Sequence, residues 1–121
     1  MRVQRTGRNS GHNNHRPLQP AQLSAVADLF AILSEPSRLR ILQILQEGPA
    51  SVGELVERSQ MKQANVSKQL AMLLSADLIA RQQDGNRAIY SIKMPLVFEL
   101  CDLVCRGVAQ RAAERAAALG A

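Results

Sequence analysis

Aromatic residues are scarce in this chain of 121 residues, which has no Trp, one Tyr and two Phe. With Phe30, Tyr90 and Phe98 as its only aromatic rings, the protein must build its core from aliphatic side chains, and a hydrophobic content of 46% can supply them. The length indicates one domain with a core of modest size.

Cysteine, histidine and long apolar runs are also scarce. Two cysteines in a chain of this size do not form a disulfide framework. The only histidines, His12 and His15, could ligate a metal or belong to a solvated tail. No apolar run approaches the ~20 residues of a membrane span, and the charged N-terminus lacks the apolar stretch of a signal peptide. We therefore expect a cytoplasmic protein with no membrane partner.

Charge is unevenly distributed along the chain. The net charge is +5, but residues 1–19 contain four arginines and no acidic residue, so the remainder is nearly balanced. Residues 1–19 lack periodicity and are predicted to be a disordered basic arm, which is either a solvated extension or a contact to DNA. Residues 62–93 form the other basic segment, with five cations against two acids, which is typical of a local nucleic-acid contact.

The region from residue 51 to residue 92 predicts two short helices followed by a β-hairpin. Ser51 with Glu54 three residues later matches a capping box and opens a helix over residues 52–58. After a turn at residues 59–61, a second helix is expected over residues 62–75. Its apolar positions Val66, Leu70 and Leu73 have helical spacing and predict a buried face.

The opposite face of this second helix is polar and contains no acid. Amide side chains can contact adenine edges in pairs of hydrogen bonds, and Lys can contact guanine or phosphate. An ordinary solvated face usually mixes both signs of charge, so this pattern favours a DNA recognition helix. The predicted DNA-contacting residues of the helix are Lys62, Gln63, Asn65, Ser67, Lys68 and Gln69.

A hairpin is predicted directly after the helix pair. Two β-prone runs flank the Asp84-Gly85-Asn86 turn signal, and a hairpin in this place is the wing of a winged helix. Arg87 at the tip and Arg81 nearby are predicted to contact DNA.

Two helices are predicted before this region and one after it. The first runs from Pro20 to about Leu33, and the second is capped by Ser34, with Pro36 in its first turn. The second helix presents Arg38 near its start, as surface charge or as a DNA contact. Its predicted core face consists of Leu39, Leu42, Ile44 and Leu45.

The last helix is predicted from Pro95 to about residue 118 and has two apolar flanks. Such a helix at a chain terminus indicates a partner, for which self-association is the simplest candidate. The residues predicted at the dimer interface are Leu23, Val26, Phe30, Val97, Cys101, Val104 and Val108. The expected fold is mainly α with a small β-hairpin, a winged helix-turn-helix of order α-α-α-α-β-β-α over residues 20–118, homodimeric through its terminal helices.

Three segments resemble the ArsR/SmtB group of bacterial winged-helix repressors. Residues 34–42 (SEPSRLRIL) resemble its Leu-x-Asp/Glu-Pro-Thr/Ser-Arg-Leu-x-Ile-Leu segment, and residues 51–55 (SVGEL) its Ser-Val-x-Glu-Leu segment. Residues 63–70 (QANVSKQL) are similar to its Gln-Ser-Thr-Val-Ser-Arg-His-Leu recognition helix. The resemblance implies a homodimer that binds double-stranded DNA at an inverted repeat and is released by an effector.

The sequence departs from this family at two kinds of metal site. Residues 51–54 contain no Cys-x-Cys box, and no histidine follows His15 to form the ligand pairs of the last helix. Gln69 stands where the family often has His, so the preferred operator can differ. No resident cofactor or metal is therefore predicted from the family's usual ligands.

Cys101 and Cys105 are the remaining sensor candidates. They lie four residues apart on the last helix, either as small packing residues at a dimer seam or as a thiol switch. Thiolates suit arsenite or another thiophilic ion, although two per chain make an incomplete site. An intrachain disulfide would distort the helix, because i and i+4 Cβ atoms lie about 5–6 Å apart and a disulfide needs about 3.5–4.5 Å.

These patterns bear on three classes of function. The favoured one is a DNA-binding repressor that responds to an oxidant, reactive sulfur or arsenite. The alternative is a constitutive DNA-binding or protein-interaction module in which the cysteines only pack. An enzyme is disfavoured, because residues 20–121 contain no histidine, Gly-rich phosphate loop or nucleophile–base pair that could be placed.

Overall fold

The computed structural model describes residues 17–120. The predicted arm, with His12 and His15, lies almost entirely outside them. A first unit ends at Phe30, within the first helix, and a second begins at Ala31. In chain order the elements are α1 (Pro20–Leu33), α2 (Pro36–Gln46), β1 (Ala50–Ser51), α3 (Val52–Ser59), α4 (Gln63–Ser75), β2 (Ile79–Asp84), β3 (Arg87–Ile92) and α5 (Pro95–Gly120).

The predicted order of helices and hairpin strands is confirmed, and the cap of α2 is corrected. Glu35, not Ser34, caps α2: its carboxylate accepts from the Ser37 amide at 2.7 Å. Ser34 donates its hydroxyl to the Ala31 carbonyl at 2.7 Å instead. Pro36 takes the first helical position, where a missing amide hydrogen costs nothing.

The helix-turn-helix forms as its local signals predict. The Ser51 hydroxyl accepts from the Glu54 amide at 3.2 Å, and the Glu54 carboxylate accepts from the Ser51 amide at 2.8 Å, so the capping box is complete. Gln60 ends α3 with a φ of 64°, the left-handed conformation that turns the chain toward α4. Helix α4, the predicted recognition helix, starts at Gln63, with Lys62 as its N-cap.

The β-sheet has three strands, whereas two were predicted. Its order is β1-β3-β2 with antiparallel pairing, and the additional strand β1 pairs Ala50 with Tyr90 and Ser51 with Ile89. The hairpin between β2 and β3 closes through Gly85 and Asn86, and Gly85 has a φ of 65° that the two-residue turn requires. Because Ser51 both pairs with β3 and caps α3, the sheet is joined directly to the helix-turn-helix.

The core of the second unit is aliphatic, as predicted, except for Tyr90. Val66, Leu70 and Leu73 of α4 are 0%, 1% and 0% exposed, which confirms the predicted face of this helix. On α2 the buried face differs from the prediction, since Ile41 is fully buried and Leu39 is only half-buried. The other buried apolar residues are Leu33, Leu42, Ile44, Leu45, Ala50, Leu55, Leu78, Ile79, Tyr90 and Val97.

The terminal helices carry most of the exposed apolar surface. On α5, Val97 is buried in the chain's own core, so its predicted place at a dimer interface is not supported, whereas Val104 and Val108 are 54% and 64% exposed. On α1, Leu23, Val26 and Phe30 are each at least 40% exposed. Among the helices of residues 17–120, none is long and apolar enough to cross a membrane.

Candidate nucleic-acid interface

The outer face of α4 presents hydrogen-bond donors to solvent. Lys62, Gln63, Ser67 and Lys68 are all exposed, and they occupy the N-terminal half of the helix and its cap. Their opposite side, at Val66, is anchored in the core. These four predicted DNA contacts are therefore on the side of α4 that a DNA major groove could reach.

Two of the predicted contacts, Asn65 and Gln69, lie closer to the core. Gln69 is only 5% exposed and Asn65 is half-buried. The Gln69 Oε1 atom accepts from Arg38 Nη1 at 2.8 Å, and Gln69 Nε2 donates to Asn65 Oδ1 at 2.9 Å. Arg38 is itself half-buried and donates from Nε to the Ile32 carbonyl at 2.6 Å. These three predicted DNA contacts are thus joined in one hydrogen-bonded chain.

Sequence reasoning did not anticipate this chain of hydrogen bonds, although a signal was present. Gln69 follows Val66 by three residues and precedes Leu73 by four, and this spacing places it on the buried side of α4. An amide on that side needs a partner. Arg38 had been interpreted only as surface charge or as a DNA contact.

The wing exposes both of its predicted cations. Arg81 and Arg87 are exposed, and Arg81 Nη2 donates to Gln83 Oε1 at 3.2 Å across two positions of the same strand. The pKa of the Glu54 carboxyl is lowered chiefly by its hydrogen bonds with the Ser51 backbone and side chain, and to a smaller extent by the charge of Arg87. Lys93 is paired with Asp77 at 2.6 Å, so its charge is partly offset.

A groove between α2 and α5 brings the two cysteines together. The cavity has a volume of about 340 Å³, and Cys101 and Cys105 both line it. The apolar part of the remaining wall is formed by Pro36, Leu39, Leu42 and Phe98. Both thiols are free, Cys101 half-buried and Cys105 exposed.

The surroundings of Cys101 disfavour its thiolate form. Burial raises the pKa of the Cys101 thiol, and the neighbouring Cys105 adds to the rise. Arg106, which follows Cys105 in the sequence, pairs with Asp102 at 3.2 Å. Within residues 17–120, no group of three or more His, Cys, Asp or Glu side chains could hold a metal ion.

Comparison with known proteins identifies the family. The family model of the arsR family of bacterial regulatory proteins matches residues 35–81. The regulator Rv0081 of Mycobacterium tuberculosis is 38% identical over 94 residues, which cover 77% of this chain and 82% of that protein. The chain belongs to the arsR family. The relatives are transcriptional regulators rather than enzymes, in agreement with the sequence prediction.

Solved structures show the same winged helix-turn-helix fold. The crystal structure of Rv0081 aligns with a TM-score of 0.70 at 35% identity, covering 81% of this chain and 98% of the other. The crystal structure of the antimony-specific repressor AntR aligns with a TM-score of 0.73 at 26% identity, covering 84% of this chain and 92% of the other. The homodimeric winged helix-turn-helix domain of Mb0332 from Mycobacterium bovis aligns with a TM-score of 0.66 at 28% identity, covering 79% of this chain and 91% of the other.

Proposed function

We propose that this ArsR-family protein is a homodimeric repressor that binds a pseudo-palindromic operator in double-stranded DNA and leaves it when an effector reacts at Cys101 and Cys105. The observation that carries the DNA-binding part is the two-sided character of α4. Its inner side is fully buried at Val66 and Leu73, and its outer side exposes donors without any acid. A helix held in this way can enter a major groove without losing its position in the core.

The DNA contacts divide into two kinds. Gln63 and Ser67 are placed to hydrogen-bond base edges, whereas Lys62 and Lys68 supply positive charge to guanine or phosphate. Arg81 and Arg87 on the wing are assigned to phosphates, which fix register without reading sequence.

Self-association is supported by the exposed apolar surface of α5. Leu96, Leu103, Val104 and Val108 are each more than half exposed on one helix, and covering such a surface is favourable. The Mb0332 neighbour is a homodimer. Two copies related by a two-fold axis would match an inverted repeat, since operator symmetry follows protein symmetry.

The base-reading role of α4 is tested on a site that the wild-type protein selects from random duplex DNA. Gln63→Ala should weaken binding to that site by about 1–3 kcal/mol if Gln63 makes a bidentate base contact, and barely affect binding to unrelated DNA. Gln110→Ala, which removes a glutamine from α5, serves as the control and should leave both affinities unchanged. Equal losses on both DNAs for Gln63→Ala would contradict base reading.

The wing is tested through the salt dependence of the same affinity. Removing one phosphate contact by Arg87→Ala should weaken binding to all sequences and lower the slope of log K against log salt by about 1. Arg58→Ala removes an exposed cation that is paired with Glu47 and is the matched control. A slope unchanged by Arg87→Ala would show that the wing does not contact DNA.

The effector part of the proposal depends on the thiol groove. Two free thiols in one turn of α5 face a cavity that α2 also lines, so chemistry there can alter how these helices pack. Thiolates bind thiophilic ions, and AntR is an antimony-specific repressor. A third thiol from the partner subunit would complete a site for arsenite, while an oxidant or reactive sulfur would act on the thiols directly.

The thiol switch is tested with Cys101→Ser/Cys105→Ser and with the matching double Ala variant. Both should bind the selected site in the reduced state but no longer be released by arsenite, hydrogen peroxide or polysulfide. For the wild type we expect a 5–150-fold loss of affinity, corresponding to a coupling of about 1–3 kcal/mol. A variant that still responds would move the sensor elsewhere.

A constitutive DNA-binding module is the second candidate. It is favoured by one observation, the burial that raises the pKa of Cys101, because a half-buried neutral thiol also suits packing. A wild-type affinity that ignores all three reagents would establish this alternative.

A further inference from the structure

The hydrogen-bonded chain from α2 to α4 gives Arg38 a role other than contact with DNA. We propose that Arg38 is a positioning residue: through Gln69 it fixes the orientation of the Asn65 amide, and Asn65 then reads a base acceptor with its NH₂ group. The inference rests on the proposed DNA-binding function and assigns one specificity determinant within it.

The direction of every hydrogen bond in this chain follows from Arg38. A guanidinium group has donors only, so Gln69 must turn its oxygen toward Arg38 Nη1, 2.8 Å away. The Gln69 NH₂ group then faces Asn65 and donates to Oδ1 at 2.9 Å. Asn65 in turn has to present its own NH₂ group on the other side. One cation thus determines which way two amides point.

Arg38 itself is held from behind. Its Nε donates to the Ile32 carbonyl at 2.6 Å, so the guanidinium is fixed between the end of α1 and the middle of α4. Gln69, the middle member, is only 5% exposed and is therefore shielded from water, which strengthens its hydrogen bonds and makes an unpaired Gln69 amide costly. Two of the three guanidinium nitrogens are already engaged within the protein, which disfavours Arg38 as a phosphate contact.

The Asn65 NH₂ group has only weak partners in the described residues. Nδ2 lies 3.4 Å from the Ser37 hydroxyl and 3.6 Å from the Met61 sulfur. The contact to Ser37 is long and the Met61 sulfur is a weak acceptor, so a base can replace both at little cost. The acceptors available in the major groove are purine N7, guanine O6 and thymine O4, whereas cytosine offers a donor there. At the base that it contacts, Asn65 should therefore discriminate against cytosine.

The test is a double-mutant cycle on the selected operator and its single-base variants, with the full-length protein. Asn65→Ala should identify the base pair that Asn65 reads, by an about three- to tenfold loss of preference there, the value of one hydrogen bond. Arg38→Met should relax preference at the same base pair and leave the others intact. In the Asn65→Ala background, Arg38→Met should have no additional effect on base preference.

Salt dependence separates positioning from direct contact. If Arg38 only positions Asn65, Arg38→Met leaves the salt slope unchanged, whereas a lost phosphate contact lowers it by about 1 and weakens all sequences alike. Arg58→Met removes the same charge from an exposed site and is the control for net charge. A lowered slope for Arg38→Met alone, or additive effects in the cycle, would overturn the proposal.

A second variant guards against misfolding. Arg38→Met alone leaves the buried Gln69 amide without its partner, whereas Arg38→Met/Gln69→Met removes that amide as well. The two acceptors that then lose a donor, the Ile32 carbonyl and Asn65 Oδ1, belong to half-buried residues, so the cost to folding should be smaller. The double variant should melt cooperatively and show the same relaxed base pair, and retained preference would overturn the proposal. A wild-type protein that enriches no site would instead refute the DNA-binding function itself, and this role with it.

Discussion

Helices α4 and α5 use similar apolar spacing with opposite results. On α4, Val66 and Leu73 are completely buried within the chain, whereas on α5, Val104 and Val108 remain more than half exposed. The difference lies in what each stripe faces, because α4 is packed by α2, α3 and β2 and most of α5 extends past them. A regular apolar stripe therefore predicts that a surface will be covered, but not by which chain.

The largest expected effect is on the free energy of unfolding of a single chain, to which the α4 stripe should contribute much more than the α5 stripe. Leu70→Ala should reduce the free energy of unfolding by about 2–5 kcal/mol, since it leaves a cavity in the core. Val108→Ala should change that of the dissociated chain by less than about 0.5 kcal/mol. Urea denaturation at low protein concentration measures both, and equal losses would mean that α5 already packs within the monomer.

The next effect tests whether the α5 stripe is an interface between two copies. Val108→Asp should convert the proposed dimer to a monomer, because an unpaired carboxylate would be buried against apolar surface. Ala113→Asp places the same charge on the opposite side of the helix and should leave the dimer intact. Sedimentation velocity distinguishes the species, and a dimer that survives Val108→Asp would exclude this stripe from the interface.

The smallest effect concerns Cys101, which is half-buried and so lies between the buried and the exposed parts of α5. In a Cys105→Ser variant, burial still holds the pKa of Cys101 above that of a free thiol, so less thiolate is present at neutral pH. Alkylation by iodoacetamide should be slower in the folded than in the urea-unfolded protein. The rate should increase with pH in both states, and the pH at the midpoint of this increase should be higher for the folded protein. Equal rates in both states would show that folding does not shield Cys101.

Much of the fold was predictable because short-range signals determine it. The capping box at Ser51 and Glu54, the Gly85 turn and the spacing of Val66, Leu70 and Leu73 each involve residues close in sequence. Strand β1 was missed because two residues carry no periodicity, and its pairing with β3 joins segments almost forty residues apart.

The site was predictable in outline only. The exposed donors on α4 follow from helical spacing. A list of polar residues does not show, however, which side chains form hydrogen bonds within the protein and which face solvent. Gln69 and Arg38 are predicted DNA contacts, but they are 31 residues apart in the sequence, and no local pattern indicates the 2.8 Å hydrogen bond that joins them. Val97 looked like an interface residue, although it lies at the start of α5, where that helix meets the core.

The short strand β1 has a mechanical consequence. It ties the start of α3 to β3 through Ser51 and Ile89, so we expect the wing to move together with α3 and α4 as a single head. A dimer of such heads has few adjustable degrees of freedom, chiefly the rotation of one head against the other. Such a dimer would accept only a narrow range of half-site spacings. Inserting a few base pairs between the half-sites would rotate one half-site away from its head. Inserting a full helical turn of about 10 base pairs would restore the relative orientation of the half-sites but not the distance between them.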